Sequence, residues 1–405
     1  MKTYVYAIAT MDTKAEEIAY VATCLKSAGA SVKVVDVSTS LLLRNGEAML
    51  ADVSRDVVLG ETPLPETADR GASIAVMGDA LKRFLLTEYQ RGTVAGVIGI
   101  GGSGGTALIT KAMRALPIGL PKLMVSTVAS GNTSGYVDCS DITMMYSVVD
   151  VAGLNVVSRI VLGNAAHAVA GMVARAPEAA ESRPALGMTM FGVTTPCVTA
   201  IRESLEAKGY DCLVFHATGA GGRAMEQLVE SQLIQGVLDI TTTEVADEIV
   251  GGIFPAGTER FDRLLQARIP LVLSVGAVDM VNFGALASVP PQFAERRLHV
   301  HNDQITLMRT NVEENRQIAR WMAGKLNQST SAFTMLLPEK GVSMLDNAGE
   351  PFEDQQANAV LFSELEARVV QSESRRVIRL PFHINDPEFS AAAVLHFEQL
   401  ATALG

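Results

Sequence analysis

Apolar residues along this chain fall into short β-type runs that alternate with longer stretches of helical period, the arrangement of βαβ units and a mostly parallel sheet. The first run covers 4–9. A helix over 14–27 is stopped by Gly29, and a strand follows at 31–37. The pattern goes on with a long helix at about 72–89, a strand at 94–100, a helix at 106–115 and a strand at 122–128. A strand at 142–149 and a long helix near 156–173 close the first half. Between 38 and 69 the periodicity lapses, and an irregular stretch of that length in a compact domain usually borders a binding site or an interface.

The segment 175–184 is polar and bounded by Pro177 and Pro184, and reads as a linker. The pattern then restarts with a strand at 186–193, a helix at 197–207 stopped by Gly209, and a strand at 211–216. Further strands are expected at 236–240, 271–275, 332–337 and 377–380. Helices are expected near 258–267, 312–326, 356–370 and 387–401. The chain therefore reads as two α/β domains, 1–176 and 184–405, each with a mostly parallel sheet flanked by helices.

Composition narrows the possible partners. Over 405 residues, 48% are apolar and only 5% aromatic, a balance that suits buried parallel sheets under helices. The net charge of −11, with no basic run, excludes a nucleic-acid backbone as partner. No uninterrupted apolar stretch approaches a membrane span of roughly 18 residues. The N-terminal apolar run, broken by Asp12 and Lys14, is too short for a signal peptide. Cys24, Cys139, Cys197 and Cys212 are scattered without metal spacing, which suits a reducing compartment, so a cytoplasmic location is expected.

In parallel α/β sheets, ligands sit at the carboxyl ends of strands. Four segments fall there. Thr10, Asp12, Thr13 and Lys14 lie between the first strand and its helix, where they would contact a ligand or simply cap the helix. Five glycines stand in 99–105, and Gly101, Gly102, Ser103, Gly104, Gly105 and Thr106 form a loop suited to cradling an anion with backbone N–H groups and hydroxyls. The loop lacks the Gly-Lys-Ser/Thr ending of a P-loop. Its Gly-x-Gly-x-x-Gly is weak evidence for a dinucleotide without an acidic residue on the next strand. Ser126 and Thr127 end another strand and would complete a cradle or make a turn. In the second domain Thr218, Gly219, Gly221, Gly222 and Arg223 repeat the glycine-loop pattern with an added cation.

Histidines mark a second kind of site. His216, His299 and His301 lie in or beside loops of the second domain, and His299 and His301 alternate along an extended segment so as to point the same way. With Asp279 or Asp303 they would move protons or ligate a metal, and hydrogen-bonded structural histidines are the plainer alternative.

Taken together, Met11-Asp12-Thr13-Lys14, the Gly-Gly-Ser-Gly-Gly-Thr loop at 101–106 and Val125-Ser126-Thr127 resemble the Tm-1-like ATP-binding domain family. So do the 215–222 loop, the block from Asp279 to Gly284, His299-x-His301-Asn302, Arg309-Thr310, Pro338-x-x-Gly341-x-Ser343 and the block from His383 to Phe389. The resemblance runs from end to end. It implies two Rossmann-like domains with a cleft between them, ATP binding and a homodimer. The best-known relatives are plant virus-resistance proteins in which this module precedes a TIM barrel. No barrel falls within these 405 residues, so the antiviral role is not carried over, and a separately encoded barrel protein becomes a possible partner.

Three functions follow as expectations. The first is an ATP-binding protein with phosphates on the 101–106 loop and Mg²⁺ near Asp12. The second is an enzyme acting on a small carboxylate or phosphorylated metabolite through His216, Asp279, His299 and His301. The third is a regulatory module that grips another protein without turnover.

Overall fold

The computed structural model describes residues 2–40, 51–65, 69–174 and 183–404. The expected linker, apart from Arg183 and Pro184, and parts of the irregular 38–69 stretch lie outside them. The chain divides into two compact units, Met1–Ala179 and Ala180–Gly405.

The first unit runs β1 (Tyr4–Ala9), α1 (Met11–Ser27), β2 (Val32–Asp36), α2 (Arg55–Leu59), α3 (Arg70–Gln90), β3 (Val94–Gly101), α4 (Ser103–Met113), β4 (Lys122–Ser126), α5 (Ser134–Val137), β5 (Thr143–Tyr146) and α6 (Val156–Ala174). Its five strands are all parallel, in the order β2-β1-β3-β4-β5. Successive side chains of β1 enter opposite cores, as a pleated strand requires. Val5, Ala7 and Ala9 pack with α1 and α6, whereas Tyr6 and Ile8 pack with α3 and α4. Both faces are covered, which is why the strand reads as continuously apolar. Gly29 ends α1 at φ +87°, in the left-handed region that its lack of a Cβ makes accessible. By length and composition α6 would suffice to cross a membrane. Here Leu162, Ala165, Ala166, Val169 and Ala170 are buried in the core, while Val156 and Ile160 are exposed.

The second unit continues with β6 (Ala185–Met190), α7 (Thr195–Ala207), β7 (Asp211–His216), α8 (Ala220–Glu230), β8 (Gly236–Thr241), α9 (Thr243–Val250), α10 (Asp262–Gln266) and β9 (Leu271–Gly276). Then come β10 (Met280–Phe283), β11 (Leu298–Asn302), β12 (Ile305–Arg309), α11 (Val312–Leu326), β13 (Phe333–Pro338), α12 (Gln355–Arg368), β14 (Arg375–Leu380) and α13 (Pro387–Leu404). Six parallel strands form the sheet β14-β13-β9-β8-β6-β7, so the first five strands of this sheet, β6, β7, β8, β9 and β13, repeat the order of the first unit. Both units are Rossmann-like α/β layers. An antiparallel sheet, β10-β12-β11, is inserted between β9 and β13 and was not visible in the periodicity. Met280 to Phe283 are buried on both faces and so show no polar alternation.

Candidate functional site

The first unit's strand order reverses direction of growth between β1 and β3, and the loops leaving these two strands part to opposite faces of the sheet. Such a switch point leaves a crevice at the carboxyl edge. A cavity of about 550 Å³ lies there, within the range of small-molecule sites. Thr10, Asp12, Thr13 and Lys14 line one side, and Gly102, Ser103, Gly104 and Gly105 the other. Thr39, Ser40 and Pro65 from the irregular stretch close over it, together with Arg70 and Ser73 from α3.

Three helices direct their first turns at this cavity, and their N-termini are satisfied differently. In α1, Met11 N–H donates to Asp36 Oδ1 at 3.2 Å and Asp12 N–H to Ser38 Oγ at 2.9 Å. Asp36 is in register beside Ala9, which brings its carboxylate to the start of α1. In α3, Asp69 Oδ1 accepts Gly71 N–H at 2.9 Å and Ala72 N–H at 3.2 Å. The N-cap of α4 is Gly102, which has no side chain to offer, so the N–H groups of Ser103, Gly104 and Gly105 are left without an intrahelical acceptor. The Arg70 guanidinium stands over this bare turn: its Nη2 lies 3.8 Å from the point a Cβ on Gly104 would occupy. Arg70 has no ion-pair partner among the described residues. An uncapped helix N-terminus and an unpaired arginine both favour an anion.

The glycines of this loop divide by function. A Cβ on Gly99 would stand 2.6 Å from Ile109 Cγ2, and one on Gly101 would stand 3.0 Å from Gly105 Cα, so these two let α4 lie close on β3. Gly102 and Gly105 meet no such crowding, the nearest atoms being 3.7 and 3.8 Å away. Of the expected contacts, Thr106 and Ser126 are buried with their hydroxyls bonded to each other at 2.6 Å, away from the cavity lining. Gly101 and Thr127 also lie outside the lining, with Thr127 N–H donating to Gly101 O. Asp141 pairs with buried Lys122 at 2.6 Å, and burial lowers that lysine's pKa. Arg70, Ser73, Thr39 and Ser40 were missed from the sequence, although the lapse of periodicity over 38–69 pointed to this neighbourhood.

In the second unit the glycine loop is packed shut. A Cβ on Gly221 would overlap the His216 carbonyl oxygen, and one on Gly222 would stand 2.5 Å from both Arg260 Nε and Glu244 Oε2. Gly219, at φ +75°, would collide with Pro255 O. The anion nearest this N-terminus is the chain's own: Glu244 Oε1 accepts Gly222 N–H at 3.3 Å. Arg223 follows in the first turn of α8, and Thr218 turns back on the His216 carbonyl. Beneath them Arg260, fully buried, pairs with Glu226 at 2.9 Å, Asp239 at 2.8 Å and Glu244 at 3.3 Å. Three carboxylates on one guanidinium leave excess negative charge, and burial pushes the pKa values of Glu226 and Glu244 up despite Arg260. The switch point itself is filled by Thr194 and Thr241, whose hydroxyls meet at 2.8 Å, both fully buried.

No hydrogen bond or ion pair joins any two of His216, Asp279, His299 and His301 among the described residues. His216 is exposed, its ring set edge-on to Phe191, and partial burial lowers its pKa. Asp279 is sealed in the turn after β9, where Ser343 Oγ donates to its Oδ2 at 2.7 Å while Oδ1 is unpartnered. Burial, with Asp346 adding repulsion, pushes its pKa up to about 7. The preceding turn is strained, with Ala277 at φ +58°. The β11–β12 register slips between Val300 and Asn302, which interrupts the simple alternation on which the pairing of His299 with His301 rests. No group of three or more His, Cys, Asp or Glu side chains among the described residues is placed to hold a metal ion.

Comparison with known proteins places this architecture. Residues 3–178 match the N-terminal domain, and 183–401 the C-terminal domain, of the uncharacterised protein family UPF0261. A UPF0261 protein of Rhizobium meliloti is 52% identical over 402 residues, covering 98% of this chain and 99% of its own length. The ToMV resistance protein Tm-1 of Solanum lycopersicum is 48% identical over 98% of this chain, which spans 56% of that longer protein. Among solved structures, a UDP-GlcNAc 2-epimerase of Methanocaldococcus jannaschii aligns with 99% of the chain at 9% identity and a TM-score of 0.22, too slight a likeness to carry an argument. Matched in both halves by the family's two domains and nearly end to end by its members, the chain belongs to the UPF0261 family.

Proposed function

We propose that the first unit binds a nucleotide, ATP, with its phosphates on the N-terminus of α4 and its magnesium near Asp12. One observation carries this reading. Of the three helices opening on the cavity, α1 and α3 are capped from within, while α4 presents N–H groups without an acceptor among the described residues, beneath Arg70, which has no ion-pair partner among them either. Phosphate oxygens would supply the missing acceptors and a charge partner for the guanidinium in one step. Asp12 is only loosely engaged by the chain, accepting Ser40 N–H and Thr13 Oγ at 3.4 Å each, so its carboxylate is available to a divalent cation directly or through water. The hydroxyls of Thr10, Thr39 and Ser73 around the cavity suit a ribose or a hydrated ion.

The reading is tested by the melting temperature of the protein with ATP, ADP, NAD and NADP, each with and without Mg²⁺. A ligand that binds only the native state raises apparent stability, by about 2.7 kcal/mol at one hundred times its dissociation constant. A shift specific to ATP supports the proposal. Equal indifference to all four nucleotides sinks it.

A further inference from the structure

Lys14 belongs to the cavity and to a second segment at once. It lines the site beside Asp12, yet its ammonium donates at 2.8 Å to the carbonyl oxygen of Val151. The backbone adapts to this reach: Lys14 has φ −135° and ψ 28°, a break inside α1 between the first turn and the regular helix. One turn on, Glu17 is buried and its Oε1 accepts Gly153 N–H at 2.6 Å. Two side chains of α1 therefore tether the Val149–Asn155 segment, one from the cavity wall and one from the core. The tethered segment is not relaxed. Val148 is at φ +66°, a conformation costly for a β-branched residue, and is 57% exposed. Asn155 at the far end caps α6 through Val157 N–H and Ser158 N–H, both at 2.9 Å, so any release of the segment reaches the helix that exposes Val156 and Ile160.

We infer that Lys14 is a relay: an anion entering the cavity draws its ammonium from the Val151 carbonyl and frees the 148–155 segment and the start of α6. The inference rests on the anion-site reading above. An ammonium bonded to one neutral carbonyl keeps two unused donors, and a charged acceptor makes a bond roughly twice as strong. Lys14 has no carboxylate partner among the described residues to hold it back. With Lys14 gone to the ligand, the segment keeps Glu17, the core packing of Val151 and the bonds from Ser147 Oγ to Val149 O at 2.6 Å and from Ser158 Oγ to Gly153 O at 3.3 Å, and the strain at Val148 favours loosening between these points.

Amide hydrogen exchange, read peptide by peptide on the whole chain, tests this with pyrophosphate and MgATP as probes and with Lys14→Met as the variant. Binding is followed in parallel by thermal shift. The relay predicts severalfold faster exchange over 148–158 when the wild type binds either probe. It also predicts that Lys14→Met shows this fast exchange without ligand and gains nothing on adding it. Wild-type protein that binds a probe while exchange over 148–158 stays unchanged overturns the relay and leaves the anion site standing. Absence of binding by either probe removes the anion site. In that case unaltered exchange in Lys14→Met removes the tether as well, and fast exchange in the variant would keep the tether but not its control by an anion.

Discussion

Arg70 Nη2 stands 3.8 Å from the position of a Cβ on Gly104, so the first exposed residue of α3 and the first turn of α4 turn positive charge toward the same point. Neither contributes much alone on a solvated surface. Their convergence at the strand-order reversal of a parallel sheet gives the cavity its chemical character.

Ser103→Asp separates folding from binding at this point. A carboxylate in the first turn of α4 complements the helix dipole and is expected to leave stability unchanged or raise it by about 0.3–1 kcal/mol. The same charge repels phosphate. Melting curves should therefore show a folded protein whose ATP-induced shift has vanished, and a retained shift would place the phosphates elsewhere.

Arg70→Ala is expected to weaken ATP binding by roughly tenfold to a hundredfold, each tenfold being about 1.4 kcal/mol. Arg70→Lys should recover part of this, since an ammonium keeps the charge without the fork. Calorimetric titration of the three proteins decides it; equal affinities would remove Arg70 from the site.

The glycines make a paired prediction. Gly221→Ala brings a methyl onto the His216 carbonyl and should destabilise the second unit by roughly 1–3 kcal/mol or more. Gly105→Ala meets no obstacle nearer than 3.8 Å and should keep or improve stability while impairing nucleotide binding. Chemical denaturation of both variants checks the contrast.

Asp247 and Asp279 give the second unit a pH dependence of definite sign. Burial pushes the carboxyls of Asp279 and of Asp247, which lies in α9 and accepts Asn282 N–H at 2.7 Å, up to about 7, above the ordinary aspartate value of 3.8. The native state then holds more protons than the unfolded chain over this interval. The contribution is complete below about 4 and is lost as pH rises to about 7, by roughly 1.4 kcal/mol per pH unit per group. Asp279→Asn keeps the shape without the proton, and should flatten the fall in urea-unfolding stability between pH 5 and 7. An unaltered slope would show that Asp279 does not titrate there.

Arg260→Met leaves three buried carboxylates without their cation and should cost about 3–5 kcal/mol, measured by urea unfolding.

Much of the fold was legible because local rules and tertiary packing agree. The continuous apolar run of β1, covered on both faces, and the glycine stops at Gly29 and Gly209 mark true boundaries. The start of α4 was placed too late, because Gly104 and Gly105 are poor helix formers; in the structure Gly104 faces Ile74 of α3, and Gly105 meets nothing nearer than 3.8 Å. Arg70 had no signature, being one exposed arginine beside an irregular stretch. The 219–222 glycines looked like a second cradle for a reason that sequence cannot separate. Bare backbone admits a ligand or a neighbouring side chain equally well, and here Glu244 occupies the place. The pairing of His299 with His301 rests on simple alternation, and a one-residue slip in register between Val300 and Asn302, which no sequence pattern announces, interrupts that alternation.

With a phosphate bound, the glycine cap of α4 would tie the lifetime of the protein to its ligand. Every other helix opening on the cavity is finished by the chain itself, through Asp36, Ser38 or Asp69. A phosphate bound at Ser103 to Gly105 would complete the last one, so the nucleotide would act as a removable part of the scaffold. Fraying of that turn, and with it susceptibility to proteases, would then follow the nucleotide level of the cell, making the abundance of the protein a gauge of its ligand supply.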